Sequence, residues 1–194
     1  VESKLENTES LAITLWFRPR WSTLDTDSYM LIGDTGAVTG LKVYLDKEYL
    51  TVSANGLEHQ FEHAIDFNIE NWYGLVLNIN NKFLQMGANI YMLDPTNNRG
   101  KTPGNRPQDK SNELLLQYSS TIEMLQAFTW ENSTNYHLRG GPIQLTNIRI
   151  YTKPIEFEQH SNVLNQYVVY DNQLAILIDN TIPSLGYQKF KNAR

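Results

Sequence analysis

Alternation of apolar residues, repeated in short segments, is the feature that most constrains the fold of this chain. In residues 11–17, the side chains of Leu11, Ile13, Leu15 and Phe17 share one face, as a half-buried strand requires. The same pattern returns at residues 41–45, 50–54, 65–69, 72–79, 83–93, 114–118, 122–130 and 144–151. Short alternating strands at intervals of roughly 8–12 residues, with turn-forming residues between them, predict an all-β sandwich or barrel.

One short helix is predicted near the C-terminus. Pro154 suits a first helical turn, and Glu156 and Glu158 favour the positive end of the helix dipole. The side chains that would share one face of this helix are Phe157, His160, Val163 and Leu164. The pattern predicts a helix of about three turns on an edge of the sandwich, followed by a further strand at residues 174–178.

Composition excludes several classes of function. The chain has 194 residues, of which 41% are hydrophobic and 19% are charged, so one domain with a sizeable core is expected. Its net charge of −5 argues against a nucleic-acid partner, and no apolar run approaches the roughly 20 residues of a membrane-spanning helix. Cysteine is absent, which excludes disulfides, thiol nucleophiles and cysteine-ligated zinc.

Three segments carry, in order, a pattern that points to a known superfamily. Residues 11–19 alternate and end in proline, and residues 71–79 place a tryptophan ahead of an alternating run. Residues 141–151 lead into an acidic segment at 154–158. In this order and spacing they resemble the concanavalin A-like lectin/glucanase superfamily, in its laminin-G-like or pentraxin-like form. The resemblance covers residues 11–167 and implies two antiparallel sheets packed as a jelly-roll sandwich.

The expected organisation is a leading segment at residues 1–10, a sandwich at 11–167, and an extra strand with a polar tail at 168–194. The chain does not begin with methionine, so we expect a piece of a longer or processed protein. Residues 94–113 form a loop insertion rich in proline, glycine and asparagine. Its basic residues are Arg99, Lys101, Arg106 and Lys110. A loop of this length is either a plain mobile insertion or a partner-docking element, and both interpretations stay open.

Motifs for catalysis are weak. Glycanases of the superfamily carry carboxylates spaced Glu-x-Asp-x-x-Glu on one strand, and the nearest match here is Glu62, Asp66 and Glu70, at intervals of four. Residues 59–63 fit H-x-x-E-H, an inverted zinc-protease motif, but on an alternating strand Glu62 points away from both histidines. We therefore expect no enzyme and no catalytic residue, with glycoside hydrolysis as a remote alternative.

Binding residues are predicted from acidic and aromatic side chains near strand ends and loops. The resemblance implies loop-bound calcium, with Asp25, Asp27 and Asp34 as the candidate ligands. Loop aspartates are also common turn formers, so no metal site is assigned. Aromatic rings can stack on the apolar faces of sugars. The aromatic candidates are Trp21, Tyr29, Tyr44, Trp130 and Tyr136, and the basic candidates in the loop insertion are Arg99, Lys101 and Arg106.

A stable β-scaffold with long loops and no convincing set of reactive groups predicts a non-catalytic recognition or assembly module. We expect it to dock other protein subunits through its loops, within a larger virion-type or extracellular structural protein. A carbohydrate-binding lectin domain, with a glycan stacked on loop aromatics, is the alternative. Co-purifying subunits would favour the first interpretation, and binding on a glycan array would favour the second.

Overall fold

The computed structural model describes residues 9–20, 27–34, 39–93, 114–130, 136–137, 143–165, 174–179 and 189–192, and for residues 34, 136–137, 174–179 and 189–192 the backbone alone. Within these residues the chain forms twelve strands. They are β1 (Ser10–Pro19), β2 (Tyr29–Asp34), β3 (Lys42–Leu45), β4 (Tyr49–Ala54), β5 (Leu57–Glu62), β6 (Tyr73–Asn80), β7 (Gln85–Leu93), β8 (Leu114–Glu123), β9 (Tyr136–His137), β10 (Ile143–Tyr151), β11 (Leu174–Asp179) and β12 (Lys189–Asn192). Between β10 and β11, a 3₁₀ turn at Phe157–Gln159 leads into the helix α1 (His160–Asn165).

The strands pair antiparallel into two sheets. One sheet has seven strands in the order β12-β11-β10-β1-β6-β7-β8, and the other has five in the order β5-β4-β3-β2-β9. The predicted all-β sandwich with one short helix is confirmed, and the strand predicted at residues 174–178 is β11. β12 lies within the predicted polar tail and adds a further strand to the larger sheet. The described part of the chain contains no helix with the length and apolar character needed to span a bilayer.

The core lies between the two sheets and follows directly from the alternation. On β1, the inward side chains of Leu11, Ile13, Leu15 and Phe17 are at most 1% exposed. Inward aliphatic residues of the five-stranded sheet pack against them in one continuous cluster. Burying each leucine or isoleucine contributes about 1.5–3 kcal/mol, so the facing layers stabilise the sandwich without disulfides.

The strands predicted at residues 65–69 and 122–130 are wrong, because the first segment is irregular and β8 ends at Glu123. In the second segment, the Asn81 side chain bonds both backbone groups of Phe128. Asn81 Oδ1 accepts from Phe128 N–H at 2.8 Å, and Asn81 Nδ2 donates to the Phe128 carbonyl oxygen at 3.0 Å. Backbone groups satisfied by a side chain are not available to a β-ladder. Apolar residues of both segments still pack on the core. In these segments the alternating apolar pattern therefore indicates burial of side chains but not pairing of strands.

Residues 155–165 pack on the outer face of the seven-stranded sheet, over its central strands. Trp16 Nε1 on β1 donates to the carbonyl oxygen of Leu164 at 2.8 Å, and Arg149 Nη1 on β10 donates to that of Val163 at 2.6 Å. Carbonyls in the last turn of a helix have no partner within the helix. The sheet therefore caps α1, and an apolar cluster that includes Trp16 and Leu164 is buried at this contact.

The start of this covering segment is fixed by Asn78 on β6. Its side chain accepts from Ile155 N–H and donates to the Ile155 carbonyl oxygen, both at 2.9 Å. Because Ile155 is held in this way and Glu156 has an extended backbone (φ −64°, ψ 148°), helical structure begins only at Phe157. The predicted helix of three turns from Pro154 is therefore too long, and the structure has a 3₁₀ turn followed by a helix of 6 residues.

Gly74 on β6 lets α1 approach the sheet closely. A Cβ atom at this position would lie 3.0 Å from Leu164 Cδ1 and 3.3 Å from Trp16 Cη2. Both neighbours are themselves buried in a close-packed cluster, so neither can move aside at low cost. Close packing, rather than an unusual backbone conformation, requires a glycine here.

His160 links α1 to β7 through both of its ring nitrogens. Nε2 lies 3.1 Å from the carbonyl oxygen of Ile155 and carries the proton, because a carbonyl can only accept. Nδ1 then accepts from the Tyr91 hydroxyl at 2.8 Å. Burial lowers the pKa of His160, and it also lowers the pKa of His63, which follows β5. Both imidazoles are therefore neutral at pH 7.

Gly74→Ala is expected to destabilise the fold, because the added methyl group must displace Leu164 or Trp16. Overpacking of this kind costs about 1–3 kcal/mol, which appears as a lower midpoint in chemical denaturation. The matched control is Gly87→Ala on β7, where the atom nearest to the added Cβ is the hydroxyl oxygen of the exposed Thr121, at 3.3 Å. An equal loss of stability in the two variants would contradict the packing argument.

The free energy of unfolding is expected to decrease as the pH falls below about 6.5, the ordinary pKa of histidine. Unfolding restores that pKa to His63 and His160, so the unfolded chain binds protons that the folded chain excludes. Thermal melts at a series of pH values on either side of neutrality measure the loss. His63→Phe, which keeps a ring beside Phe67, is expected to show a shallower pH dependence, and an unchanged slope would refute the role given to His63.

Candidate binding surfaces

The outer face of the five-stranded sheet is polar and carries two tyrosines. On β3, β4 and β5 the side chains alternate, with Val43, Val52 and Phe61 turned to the core at 1% exposure or less. The side chains between them point outward, and all except Thr51 are half-buried or exposed. We call this surface the tyrosine face, and its residues are Lys42, Tyr44, Tyr49, Thr51, Ser53, Glu58, Gln60 and Glu62.

Tyr44 and Tyr49 flank Thr51 at the centre of the tyrosine face. The strand register places Tyr44 directly opposite Thr51, which in turn lies opposite Gln60. Tyr49 precedes Thr51 by two residues on β4, so the tyrosines are diagonal neighbours, with Cα atoms about 7–8 Å apart. Thr51 between them is only 7% exposed. Two half-buried rings bordered by polar groups form a shallow stacking platform.

Charges on the tyrosine face are mostly acidic. Glu58 and Glu62 are exposed on β5, and Lys42 on β3 supplies a cation. Gln60 Nε2 donates to Glu58 Oε1 at 3.2 Å, which orients the amide next to the carboxylate. Hydroxyl groups donate to carboxylates and amide oxygens, while sugar C–H faces stack on aromatic rings. The combination suits an uncharged ligand with many hydroxyl groups.

A second surface is the turn between β6 and β7, at residues 81–84, which we call the apolar turn. It exposes Phe83 and Leu84, whose exposed fractions are 65% and 38%. Leu84 has a left-handed backbone conformation (φ 50°), which is unfavourable for a residue with a bulky side chain. Lys82 Nζ lies 5.7 Å from the centroid of the Phe83 ring. Unfavourable backbone geometry beneath exposed apolar side chains is typical of a functional contact.

Asn81 holds the apolar turn against the end of the sandwich. Its backbone N–H donates to the Glu9 carbonyl oxygen at 2.9 Å, and its own carbonyl accepts from Leu84 N–H at 3.4 Å. Its side chain makes the two bonds to Phe128 already described. The Leu84 carbonyl oxygen in turn accepts from Met124 N–H at 2.7 Å. The two exposed apolar side chains are thus presented on a fixed backbone.

The structure separates the predicted aromatic binding residues. Tyr44 lies on the tyrosine face. Tyr29 on β2 pairs with the inward Leu45, and its ring packs against the core. Trp130 is 6% exposed and belongs to the core cluster, so the expectation of a ring presented near a loop is wrong there. Tyr136 lies in β9, where the backbone alone is described.

The remaining predicted binding residues, Trp21, Arg99, Lys101 and Arg106, lie outside the described residues, as does the whole loop insertion. Of the three aspartates proposed for calcium, Asp27 alone has a described side chain. Among the side chains that the structure describes, no three of the His, Asp and Glu type converge closely enough to hold a metal ion.

The H-x-x-E-H motif is divided between two faces, as the alternation of β5 predicts. His59 faces inward, with its ring centroid 5.5 Å from that of Phe128. His63 is 5% exposed, and its ring centroid lies 5.2 Å from that of Phe67. Glu62 is exposed on the tyrosine face. The carboxylate therefore does not share a site with the two imidazoles.

The carboxylates at intervals of four do not share a strand either. Glu62 ends β5, and Asp66 lies in the irregular segment that follows. Glu70 Oε2 pairs with Arg18 Nη2 on β1 at 2.9 Å. Retaining glycosidases hold two carboxyl groups about 5 Å apart. Because these three residues do not lie on one strand, no regular strand geometry places their carboxyl groups at that distance.

The sequence prediction misses two residues of these surfaces. Tyr49 alternates with the inward Leu50, so the same pattern that places Tyr44 outward also places Tyr49. Phe83 resembles the first residue of an alternating strand, but β7 begins at Gln85 and Phe83 lies in the preceding turn. The outward tyrosine could have been found from the sequence, whereas the exposed phenylalanine could not.

Several solved structures share this fold, among them the following three. The binding domain of botulinum neurotoxin DC, in complex with rat synaptotagmin II, has a TM-score of 0.54 at 16% identity, over 85% of this chain and 37% of that one. A candidate carbohydrate-binding protein from Bacteroides ovatus has a TM-score of 0.55 at 11% identity, over 95% of this chain and 54% of that one. The binding domain of botulinum neurotoxin serotype D has a TM-score of 0.50 at 12% identity, over 85% of this chain and 38% of that one.

These likenesses establish the fold. The chain spans between 37% and 54% of the length of the three structures, so each of them contains more than this one unit. No protein-family model matches the sequence, and no curated protein matches it either. The chain is a two-sheet β-sandwich with the fold of these structures, and this fold is consistent with the resemblance found in the sequence.

Proposed function

We propose that this protein is a non-catalytic binding module that docks a protein partner through the apolar turn. The observation that carries the proposal is the exposure of Phe83 and Leu84 on a backbone fixed by Asn81. An exposed phenylalanine and leucine gain free energy when a partner removes them from water, at about 25 cal/mol per Å². A turn that is already rigid loses little conformational entropy on binding, so more of that gain remains as affinity.

We also propose a wider context for this module. We place it within a larger virion-type or extracellular structural protein, as the sequence predicts, with a laminin-G-like or pentraxin-like form of the fold. The structure of the botulinum neurotoxin DC binding domain was solved with a protein bound, so the fold is compatible with protein recognition. The loop insertion with Arg99, Lys101 and Arg106 is a further candidate docking element. A non-catalytic role is supported by the separation of Glu62 from the histidines of its motif.

Site-specific photo-crosslinking tests the docking surface. Phe83 is replaced by p-benzoylphenylalanine, which preserves an aromatic ring, within the full parent protein and its native assembly. Illumination is expected to join position 83 to a partner protein that mass spectrometry identifies. Phe83→Ser is expected to abolish co-purification of that partner, while stability changes by no more than about 0.5 kcal/mol because the side chain is exposed.

Phe157 offers a matched control for this experiment. It is a second exposed phenylalanine, 56% accessible, and it lies in the 3₁₀ turn before α1 rather than in the apolar turn. Crosslinks from position 157 but not from position 83 would contradict the proposed surface. Crosslinks from neither position, in an assembly that stays intact when Phe83 is replaced by serine, would contradict it as well.

Carbohydrate binding is the second candidate function, and the tyrosine face favours it. Tyr44 and Tyr49 provide two neighbouring rings, and the acidic and amide groups around them can accept bonds from sugar hydroxyls. A candidate carbohydrate-binding protein from Bacteroides ovatus shares the fold, which supports this alternative. The ligand would be an uncharged glycan lying across β3 and β4.

A glycan array tests the second function. Binding by the wild-type chain is expected to fall at least tenfold in Tyr44→Ala, which corresponds to about 1.4 kcal/mol. Tyr44→Phe keeps the ring and is expected to retain most of the binding, which separates stacking from hydrogen bonding by the hydroxyl. No binding by the wild-type chain, or equal binding by the alanine variant, would exclude the tyrosine face as a lectin site.

A further inference from the structure

Among the described strands, β8 forms an edge of the seven-stranded sheet, and its own sequence lacks the charges that usually protect an edge strand. Its first nine residues, Leu114–Ile122 in sequence, carry no charge, no proline and no glycine. Edge strands normally carry charges that discourage pairing with another strand. β5, at the edge of the other sheet, follows this rule with Glu58 and Glu62, and the sequence of β12 contains Lys189 and Lys191.

Exposed leucines accompany this uncharged edge. Leu115 and Leu116 near the start of β8 are 41% and 46% exposed, and Leu125 just beyond its end is fully exposed at 102%. Leu115 and Leu116 are consecutive in a strand and therefore lie on its two opposite faces. A partner that covers both of them must lie alongside the strand rather than on one face of the sheet.

We infer that the partner is a second copy of this chain, whose β8 pairs antiparallel with the first about a two-fold axis through Ser120. The straight part of the strand supports this register. From Tyr118 to Glu123 the pairing with β7 is regular, and the irregularity in the ladder lies on the other side of Tyr118. The two seven-stranded sheets would then form one continuous sheet across the dimer.

The register pairs residues whose chemistry is complementary. Residues with numbers that sum to 240 lie opposite each other, so Tyr118 of one copy faces Ile122 of the other, and Ser119 faces Thr121. Aromatic rings opposite β-branched residues, and hydroxyl residues opposite each other, are favourable cross-strand pairs worth roughly 0.2–1 kcal/mol each. Ser119 Oγ accepts from Asn89 Nδ2 at 2.7 Å, so its own proton remains available to donate.

Charge also favours the antiparallel arrangement. In the antiparallel arrangement, the single charge of β8, on Glu123, lies at one end of the paired segment, and Glu123 of the other copy lies at the opposite end. A parallel arrangement in register would instead place the two Glu123 carboxylates side by side, which is unfavourable.

The preceding stretch of the chain itself is a poor occupant for this edge. Residues 94–113 contain three prolines and two glycines. Proline removes the N–H donor that a ladder needs, and glycine weakens a strand. In a copy of β8, residues 114–122 contain neither proline nor glycine.

Cysteine crosslinking tests the inference, because the chain has no cysteine of its own. Directly opposed residues of an antiparallel pair have Cα atoms about 4.5–5.5 Å apart, within the range of a disulfide. Ser120→Cys is therefore expected to convert almost completely to a covalent dimer under mild oxidation. The matched control is Gln60→Cys, which changes an exposed residue of β5, an edge strand of the five-stranded sheet. This variant is expected to stay monomeric on a non-reducing gel.

Sedimentation of the wild-type chain gives an independent measurement. A dimer is expected, and Thr121→Lys, which adds charge to the exposed face of β8, is expected to shift it to monomer, while Gln60→Lys leaves the dimer intact. A monomeric wild-type chain would overturn the inference. So would a wild-type dimer in which Ser120→Cys fails to crosslink, or in which the Gln60→Cys control crosslinks equally well. The readout is the oligomeric state, so the result does not depend on ligand binding at the apolar turn or at the tyrosine face, to which the control residue Gln60 belongs.

Discussion

Hydrogen bonds from the seven-stranded sheet to the backbone of residues 155–165 determine which surfaces of this protein stay open. Asn78 fixes the beginning of the segment, and Trp16 and Arg149 bind the carbonyls at its end. Because these three side chains come from different strands, the segment lies across the sheet and packs on outward residues of β1, β6, β7 and β10. The central strands are thus buried on both sides, in contrast to the half-exposed strands of the smaller sheet.

The surfaces that remain exposed differ in chemistry, so each of them suits a different kind of ligand. The tyrosine face is polar, acidic and flat, which suits hydroxyl-rich ligands. The apolar turn is small and rigid, which suits insertion into a partner protein. The edge formed by β8 is an extended row of backbone groups without charge, which suits another strand. One sandwich can therefore hold separate contacts for assembly and for recognition without any reactive group.

The class of fold was predictable because a strand in one of two packed sheets must place an apolar side chain at every second position, as β1 does. The prediction failed where apolar residues are buried without pairing, as at residues 65–69, and where Asn78 holds the backbone of Ile155 out of a helix. Side-chain hydrogen bonds between distant segments leave no local pattern. The outward position of Tyr49 follows from the local alternation of β4 and was therefore predictable. The exposure of Phe83 was not, because it depends on hydrogen bonds from Asn81 to distant parts of the chain.

Hydrogen exchange tests most directly whether residues 155–165 are locked onto the sheet. The account predicts that the amide of Ile155, which donates to Asn78, exchanges as slowly as the central strands β1 and β6, and that Asn78→Ala accelerates it strongly. Rapid exchange at Ile155 in the wild-type chain would contradict the account. It would mean that the outer face of the larger sheet opens readily, and that this face has to be counted among the surfaces available to a ligand.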